Sequence, residues 1–424
     1  MSEKYIEISK KIFGSVIGRV DVRGLCVRFW DGSQWTPEKA GKIKMTIILN
    51  HPHALRRMFL PPGELSLGEA YIYGDFDIDG DRDFIFEMGE KLGAPAWSVI
   101  TKAKILKLLM QLPKRTDPIN EKYSAKRKGI LHSKDRDRDS VAFAYDVSND
   151  FFKLFLDKDM VYTCAYFKKR GDSLEKAQVQ KMELICRKLN LEKGEKLFDL
   201  GCGWGALSMY AARHYGVETH GVTLSAEQGK EAIERIASAG FSKMCKVEVK
   251  DYRDVPTKGQ FDKVAAIGMM EHIGKSELNS FYSHMFGLLK PGGMLLSHGI
   301  AATGDDNAGA SPFTQKYIFP DGQAVNAASR AAAGIHAGFE VRDIENLREH
   351  YVLTSEYWLR GLERNKKKVI DMRDETFYKI AWLAMAGANY RFKSGQSGLI
   401  QDLYYKPDPT NTIVPPLNRE GWYK

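Results

Sequence analysis

The chain of 424 residues has few cysteines and no long apolar run. Its five cysteines, Cys26, Cys164, Cys186, Cys202 and Cys245, are an odd number and form no CxxC pair. That argues against a disulfide framework and against a zinc site, and fits a reducing, cytoplasmic compartment. No uncharged apolar stretch reaches about 18 residues, so no helix is expected to span a membrane. The N-terminal MSEKYIEISKKIFGSVIGRV lacks the apolar core and small-residue cleavage site of a signal peptide. Membrane contact, if any, is expected to be peripheral. His51 and His53 have no partners at ligand spacing, so no metal is expected.

What is present is an apolar fraction of 43%, enough for ordinary cores, and a length that suits two domains. Lys plus Arg number 63 against 54 Asp plus Glu, a balance that favours acidic surfaces such as phospholipid or nucleic acid without choosing between them.

The organising stretch is KLFDLGCGWGA, Lys196 to Ala206. An apolar run meets Gly201, Gly203 and Gly205 at alternate positions, and a helical pattern follows: strand, glycine turn, helix. Glycines there reach positive φ and leave no Cβ between main chain and ligand, so a flat nucleotide-like molecule can lie against the backbone. Asp199 stands two residues before Gly201, giving the acidic-x-G-x-G-x-G form of class I methyltransferases that use S-adenosylmethionine, in which the acid lies near the methionine amino group. A glycine triplet alone does not decide between this and a plain strand–helix turn.

Residues 5–80 read as short segments broken by Gly, Pro and Asp. Strands are expected over Val20–Trp30 and Lys44–Leu49, and helices over His53–Phe59 and Asp83–Leu92, with Leu65–Asp77 as a turn-rich passage. Together they make a small α+β domain. Trp97 to Met110 is a basic amphipathic helix with Lys102, Lys104 and Lys107, suited either to anionic lipid or to a core with a solvated lysine face. Pro113 to Ser140 shifts to charge and reads as a mobile linker, its Lys126-Arg127-Lys128 cluster free to touch lipid headgroups or water. Ser148 is a candidate N-cap for a helix through Phe155. Strands follow near Lys196–Leu200, Thr219–Val222, Lys246–Val249, Lys263–Gly268 and Met294–His298, alternating with helices. This is the pattern of a doubly wound parallel sheet with its ligand at the strands' C-terminal ends. An insertion from Ala302 to about Arg348 and a helical, aromatic cap over Ser355–Ser394 complete the chain.

Five passages, YDVSNDFF with YTCAYF, DLGCGWG, TLSAEQ, MEHIG and KYIFPDG, resemble in order and spacing the S-adenosylmethionine-dependent cyclopropane fatty acid synthases and mycolic acid cyclopropane synthases. The N-terminal LSLGEAYIYGDFDID is similar to the LGESYMDG passage of the long form, which carries an extra lipid-binding domain. The resemblance implies an α/β class I methyltransferase with a Rossmann-like doubly wound sheet and a helical substrate cap. Its expected boundaries are residues 1–112 for the lipid-binding domain, 113–140 for the linker and 141–424 for the catalytic domain. It places cofactor contacts on Tyr162, Thr163, Asp199, Gly201, Gly203, Gly205, Thr223, Gln228, Tyr252 and Arg253. Tyr252 stands where the family usually has Trp against the adenine.

The catalytic set it implies is Cys164, Glu271, His298, Ile300 and Tyr351, which in the family hold a bicarbonate ion beside the sulfonium methyl. An isolated cis double bond is a weak nucleophile, and methyl transfer leaves a carbocation that needs a dry aromatic pocket and a base. His298 and Tyr351 are expected to donate through side chains, Cys164 and Ile300 through backbone NH groups. Glu271, a carboxyl beside an anion, is expected protonated or bridged by a neighbour such as His298.

The implied reaction adds a methylene group to unsaturated acyl chains of membrane phospholipid, by a homodimer on the inner face of the membrane in contact with anionic headgroups. The family cysteine of the C-terminal helix is absent, the stretch reading Ala384-Met385-Ala386-Gly387-Ala388. With the anion cradle intact, cyclisation is still expected, but the C-terminal passage also resembles that of relatives that stop at a methylated or methylene-branched chain, which leaves that product open. Nucleic acid is not expected as a partner, since the chain carries neither a recognisable RNA-binding module nor an NPPY-type motif.

Overall fold

The computed structural model describes residues 2–17, 23–38, 41–93, 99–116, 121–306, 310–410 and 415–423. Trp97 of the expected amphipathic helix and residues 117–120 of the expected linker lie outside them. The chain forms two compact units: Met1–Ser124 with Ser311–Phe313 and Lys366–Tyr390, and Ala125–Ala310 with Thr314–Asn365 and Arg391–Lys424.

The first unit holds α1 (Ser2–Ile17), β1 (Leu25–Arg28), β2 (Gln34–Trp35), β3 (Met45–Leu49), α2 (Ala54–Phe59), α3 (Glu64–Ile72), β4 (Phe76–Gly80), α4 (Arg82–Gly93) and α5 (Val99–Leu109). Its sheet has the order β2-β1-β3-β4, with β1 parallel to β3 and the other pairs antiparallel. Two expectations change here. The N-terminal segment is one helix, α1, and the expected turn over Leu65–Tyr71 is the helix α3. Gly68 within α3 serves packing: a Cβ there would lie 2.4 Å from the Phe313 ring. His53 Nε2 lies 3.0 Å from Oδ1 of the buried Asp75, which also pairs with Arg115, and His51 stacks on His53. In α5, Ile105 and Leu109 are buried while Lys102, Lys104 and Lys107 face solvent.

The second unit begins with α6 (Lys134–Tyr145) and α7 (Asn149–Lys153). The linker expectation fails over α6. Its alternating charges meet partners distant in sequence: Arg136 forms a two-pronged pair with Asp321 at 2.7 Å, Asp137 pairs with Arg253 at 2.9 Å, and Lys134 with Asp254. Ser148 caps α7 as expected, accepting from the Phe151 N–H.

There follow α8 (Leu174–Lys188), β5 (Lys196–Leu200), α9 (Ala206–Tyr215), β6 (Glu218–Thr223), α10 (Ala226–Ser238), β7 (Cys245–Val249), β8 (Phe261–Ile267), α11 (Met270–Ile273), α12 (Leu278–Leu288) and β9 (Leu289–Ala302). The remaining elements are α13 (Pro312–Tyr317), α14 (Ala327–His336), β10 (Glu340–Asn346), α15 (Arg348–Arg364), α16 (Lys366–Met372), α17 (Glu375–Lys393) and β11 (Ser397–Tyr405). Residues 366–390 of α16 and α17 belong to the first unit, so Met385 does too.

The large sheet runs β10-β11-β9-β8-β5-β6-β7. The five expected strands are present and mutually parallel. β11 inserts antiparallel between β9 and β10, so the sheet is mixed at that edge and part of the expected insertion supplies a strand. One face packs Phe198, Leu200 and Leu295 against Phe281, Tyr282 and Met285 of α12. The other packs Leu197, Ile267 and Leu296 against Ile185 of α8 and Ala211 of α9. Helices on both faces bury the strands on both sides, which leaves the C-terminal strand ends to carry the site. No helix among the described residues is long and apolar enough to cross a membrane.

Candidate functional site

Gly201, Gly203 and Gly205 leave β5 with φ of +73°, +54° and +80°. A Cβ at Gly201 would meet Met269 Sδ at 2.5 Å, whereas one at Gly203 would enter open space. The turn thus presents bare backbone at Gly203. Beneath it Asp199 is buried and accepts a 2.7 Å hydrogen bond from the Ser208 hydroxyl, tying β5 to α9. Burial raises the Asp199 carboxyl to about 6, the Ser208 bond holding it down in part.

That shift has a measurable consequence. Between the ordinary aspartate value near 3.9 and about 6, the folded chain keeps the Asp199 proton and the unfolded chain loses it. Stability contributed by this group is therefore present at low pH and lost as pH rises through about 6. Asp199→Asn should flatten that part of the decline, read by urea unfolding at a series of pH values. An unchanged slope would contradict the assignment.

Around the turn, Thr223 donates to Gln228 Oε1 at 3.0 Å, and Ser225 caps α10 by accepting from the Gln228 N–H. Tyr252 packs edge-on to Phe281. The Arg253 guanidinium is engaged by Asp251, by Asp137 and by the His132 carbonyl. The Arg253 backbone N–H is taken too, donating to Asp251 Oδ1 at 2.9 Å. Thr163 Oγ1 accepts from Lys181 at 2.9 Å, and Gln178 donates to the Thr163 carbonyl at 2.9 Å. Burial depresses Lys181 to about 8, against the pull of Asp157, Cys164 and Asp199. Tyr162 is half-buried against Trp358, with ring centroids 4.8 Å apart.

Contacts join four residues of the implied catalytic set, Cys164, Ile300, Tyr351 and Glu271. Cys164 forms a small buried cluster with Leu347 and Leu399, on which Ile300 and Tyr351 pack. Glu271 Oε1 accepts from the Ile300 N–H at 2.7 Å, and Oε2 lies 3.0 Å from where a Gly299 Cβ would stand. Glycine at 299 makes room for the carboxyl. Burial raises Glu271 above the usual glutamate range, which favours the protonated form. No Glu271–His298 bridge forms among the described residues; His298 instead receives the Gln401 amide at Nδ1, 3.2 Å away. With the amide N–H on Nδ1, the imidazole proton sits on Nε2. Burial holds His298 well below its ordinary value, so the ring is neutral. The Ile300 N–H, expected to face an anion, is taken by Glu271. The Cys164 thiol is raised by burial and stays protonated, which removes it as a nucleophile.

Two buried polar atoms here, Glu271 Oε2 and His298 Nε2, have no protein partner. A buried donor or acceptor left without one costs about 1–3 kcal/mol, so each is open to a bound partner. Several supporting residues were not singled out from sequence. Gln401 and Asp402 lie on β11, and Arg330 on α14 bonds the Ile300 carbonyl beside Asp402, which burial raises to about 6. Tyr145 ends α6 within 3.2 Å of His272 Nε2. Spacing gives no signal for them, because each reaches the site through pairing or packing distant in sequence.

With this geometry described, comparison decides the family. The family model for mycolic acid cyclopropane synthetase matches residues 132–402. The chain belongs to that family. A domain of unknown function matches residues 12–91. The chain is 33% identical over 404 residues to a probable fatty acid methyltransferase of Pseudomonas putida, covering 94% of this chain and 96% of the relative. It is 32% identical over 341 residues to the cyclopropane-fatty-acyl-phospholipid synthase of Escherichia coli K12, covering 80% and 82%. A solved mycolic acid cyclopropane synthase complexed with SAH and CTAB matches with a TM-score of 0.60 at 30% identity, covering 63% of this chain and 98% of the other. The second unit of this cyclopropane synthase family member therefore has the fold of the class I S-adenosylmethionine-dependent methyltransferases.

Proposed function

We propose that the chain adds a methylene group from S-adenosylmethionine to the cis double bond of an unsaturated acyl chain in membrane phospholipid, closing it to a cyclopropane with bicarbonate as base. The observation that carries the reading is a glycine turn with one open face, with Glu271 Oε2 and His298 Nε2 each buried without a protein partner in the implied catalytic set. Both groups fit. The bare backbone at Gly203 suits a flat cofactor, and a carboxyl in its protonated form and an imidazole N–H are donors that suit a small anion.

When bound, S-adenosylmethionine would supply an electrophilic methyl carbon and bicarbonate would accept the proton lost on ring closure. Tyr162, Thr163, Thr223, Gln228 and the glycine turn would hold and orient the cofactor, with Tyr252 against its adenine. Glu271 donates from its protonated oxygen and His298 from Nε2, while the Tyr351 hydroxyl completes the cradle. Tyr351 stacks on Phe392 with centroids 4.3 Å apart, which fixes its ring. Tyr145, Tyr162 and Trp358 exclude water and offer ring faces to a developing cation. The lysine face of α5 would serve anionic headgroups. A homodimer belongs to the same proposal and rests on the family alone.

A methyl-branched product is the second reading, favoured by the 94% coverage of the match to a probable fatty acid methyltransferase. The two diverge at the base. Turnover on monounsaturated phospholipid vesicles should fall in degassed, bicarbonate-depleted buffer and recover on adding bicarbonate. Indifference to bicarbonate would sink the cradle assignment.

A further inference from the structure

The turn that precedes α6 reads Lys126-Arg127-Lys128-Gly129-Ile130-Leu131. Its three cations are exposed, and so are both aliphatic residues, Ile130 at 82% and Leu131 at 45%. A single exposed aliphatic side chain is ordinary. Two at the tip of a firmly held turn are not. Ala125 N–H donates to the Lys316 carbonyl at 2.8 Å, and Arg127 reaches Gln315 at 3.0 Å. The Gly129 carbonyl accepts from Arg136 at 2.8 Å, and the Ser133 N–H closes on the Ile130 carbonyl at 3.1 Å. His132, next in the chain, is buried and its carbonyl accepts from Arg253 at 2.9 Å. The backbone is therefore pinned on both sides while Ile130 and Leu131 are held out.

Charge selects the occupant. No Asp or Glu stands between Glu121 and Asp135, so the turn presents three cations directly beside two aliphatic side chains. An RNA or an acidic peptide would satisfy the cations but leave Ile130 in water. An anionic bilayer satisfies both, with phosphates at the surface and hydrocarbon just below. The turn also leads straight into α6, whose far end, Tyr145, touches His272 beside Glu271.

We propose that Lys126–Leu131 is a bilayer-docking wedge of the catalytic unit, its cations on lipid phosphates and Ile130 and Leu131 among the acyl chains. The proposal rests on the phospholipid reading above. The five native cysteines are buried, so Ile130→Cys in the full chain offers one accessible thiol for an environment-sensitive fluorophore. With vesicles of monounsaturated phosphatidylglycerol and phosphatidylcholine, the probe should brighten, shift to the blue and be quenched by nitroxides placed in the acyl chains. Ile130→Ser with Leu131→Ser should weaken vesicle binding by about tenfold or more. Binding of S-adenosylhomocysteine and turnover of detergent-dispersed phospholipid should be unchanged. A probe that stays unquenched while the protein co-sediments with vesicles overturns the wedge, even if lipid product forms. A quenched probe with no lipid product supports the wedge and overturns the phospholipid reading instead.

Discussion

Glu271→Ala should lower turnover by about 10²–10³-fold with binding of S-adenosylhomocysteine unchanged, whereas Glu271→Gln should cost less than about tenfold. The difference follows from protonation. Burial raises the carboxyl above its usual range, and the neutral acid would accept from the Ile300 N–H through one oxygen and keep a proton to donate through the other. A glutamine amide reproduces both bonds. Alanine removes both and also strands the Ile300 N–H. If the protonated form is the working one, turnover declines as pH rises through the raised value, and Glu271→Gln flattens that alkaline limb. Equal losses in the two variants would mean that Glu271 works as an ionised carboxylate.

Gly203→Ala should lower affinity for S-adenosylhomocysteine by at least about tenfold, since overfilling a close-packed contact costs about 1–3 kcal/mol. The protein around Gly203 leaves its Cβ direction open, so the loss would come from the ligand's side. Gly240 supplies the control. It too has positive φ, +77°, and open space where a Cβ would stand, at the end of α10. Both substitutions force a side chain into the left-handed region, at about 1–2 kcal/mol each. Both should therefore lower the melting temperature by similar amounts. Only Gly203→Ala should change the calorimetric affinity. Equal affinity in the two variants would remove the glycine turn as the cofactor's seat.

The parallel half of the large sheet was legible because strands buried on both faces are continuous apolar runs ended by turn residues, as in Lys196–Leu200 before Gly201. β10 was not, because EVRDIEN alternates charge along an exposed edge and resembles a loop. β11 lies beyond a long helical stretch, and only its pairing with β9 shows that Gln401 stands opposite His298. α3 lay within a passage that reads as turn-rich, and its Gly68 is required by the Phe313 ring. In the same way Lys134 to Asp139 resembled a solvated linker, since Asp254, Asp321 and Arg253 lie more than a hundred residues away in sequence. Cys164, Glu271, Ile300 and Tyr351, named by motif resemblance, are in contact, but the Gln401 amide against His298 had no signal in the sequence. Nor could sequence show that Glu271 occupies the Ile300 N–H.

The most direct test of the account is the product itself. Purified full-length protein, methyl-labelled S-adenosylmethionine and monounsaturated phospholipid vesicles should yield labelled acyl chains. Their methyl esters are then resolved chromatographically and by mass, since a methylene-branched or methyl-alkene chain is isomeric with the ring. Labelled cyclopropane is expected, formed in proportion to added bicarbonate. A labelled methyl-branched or methylene-branched chain in its place, formed equally well without bicarbonate, would contradict it.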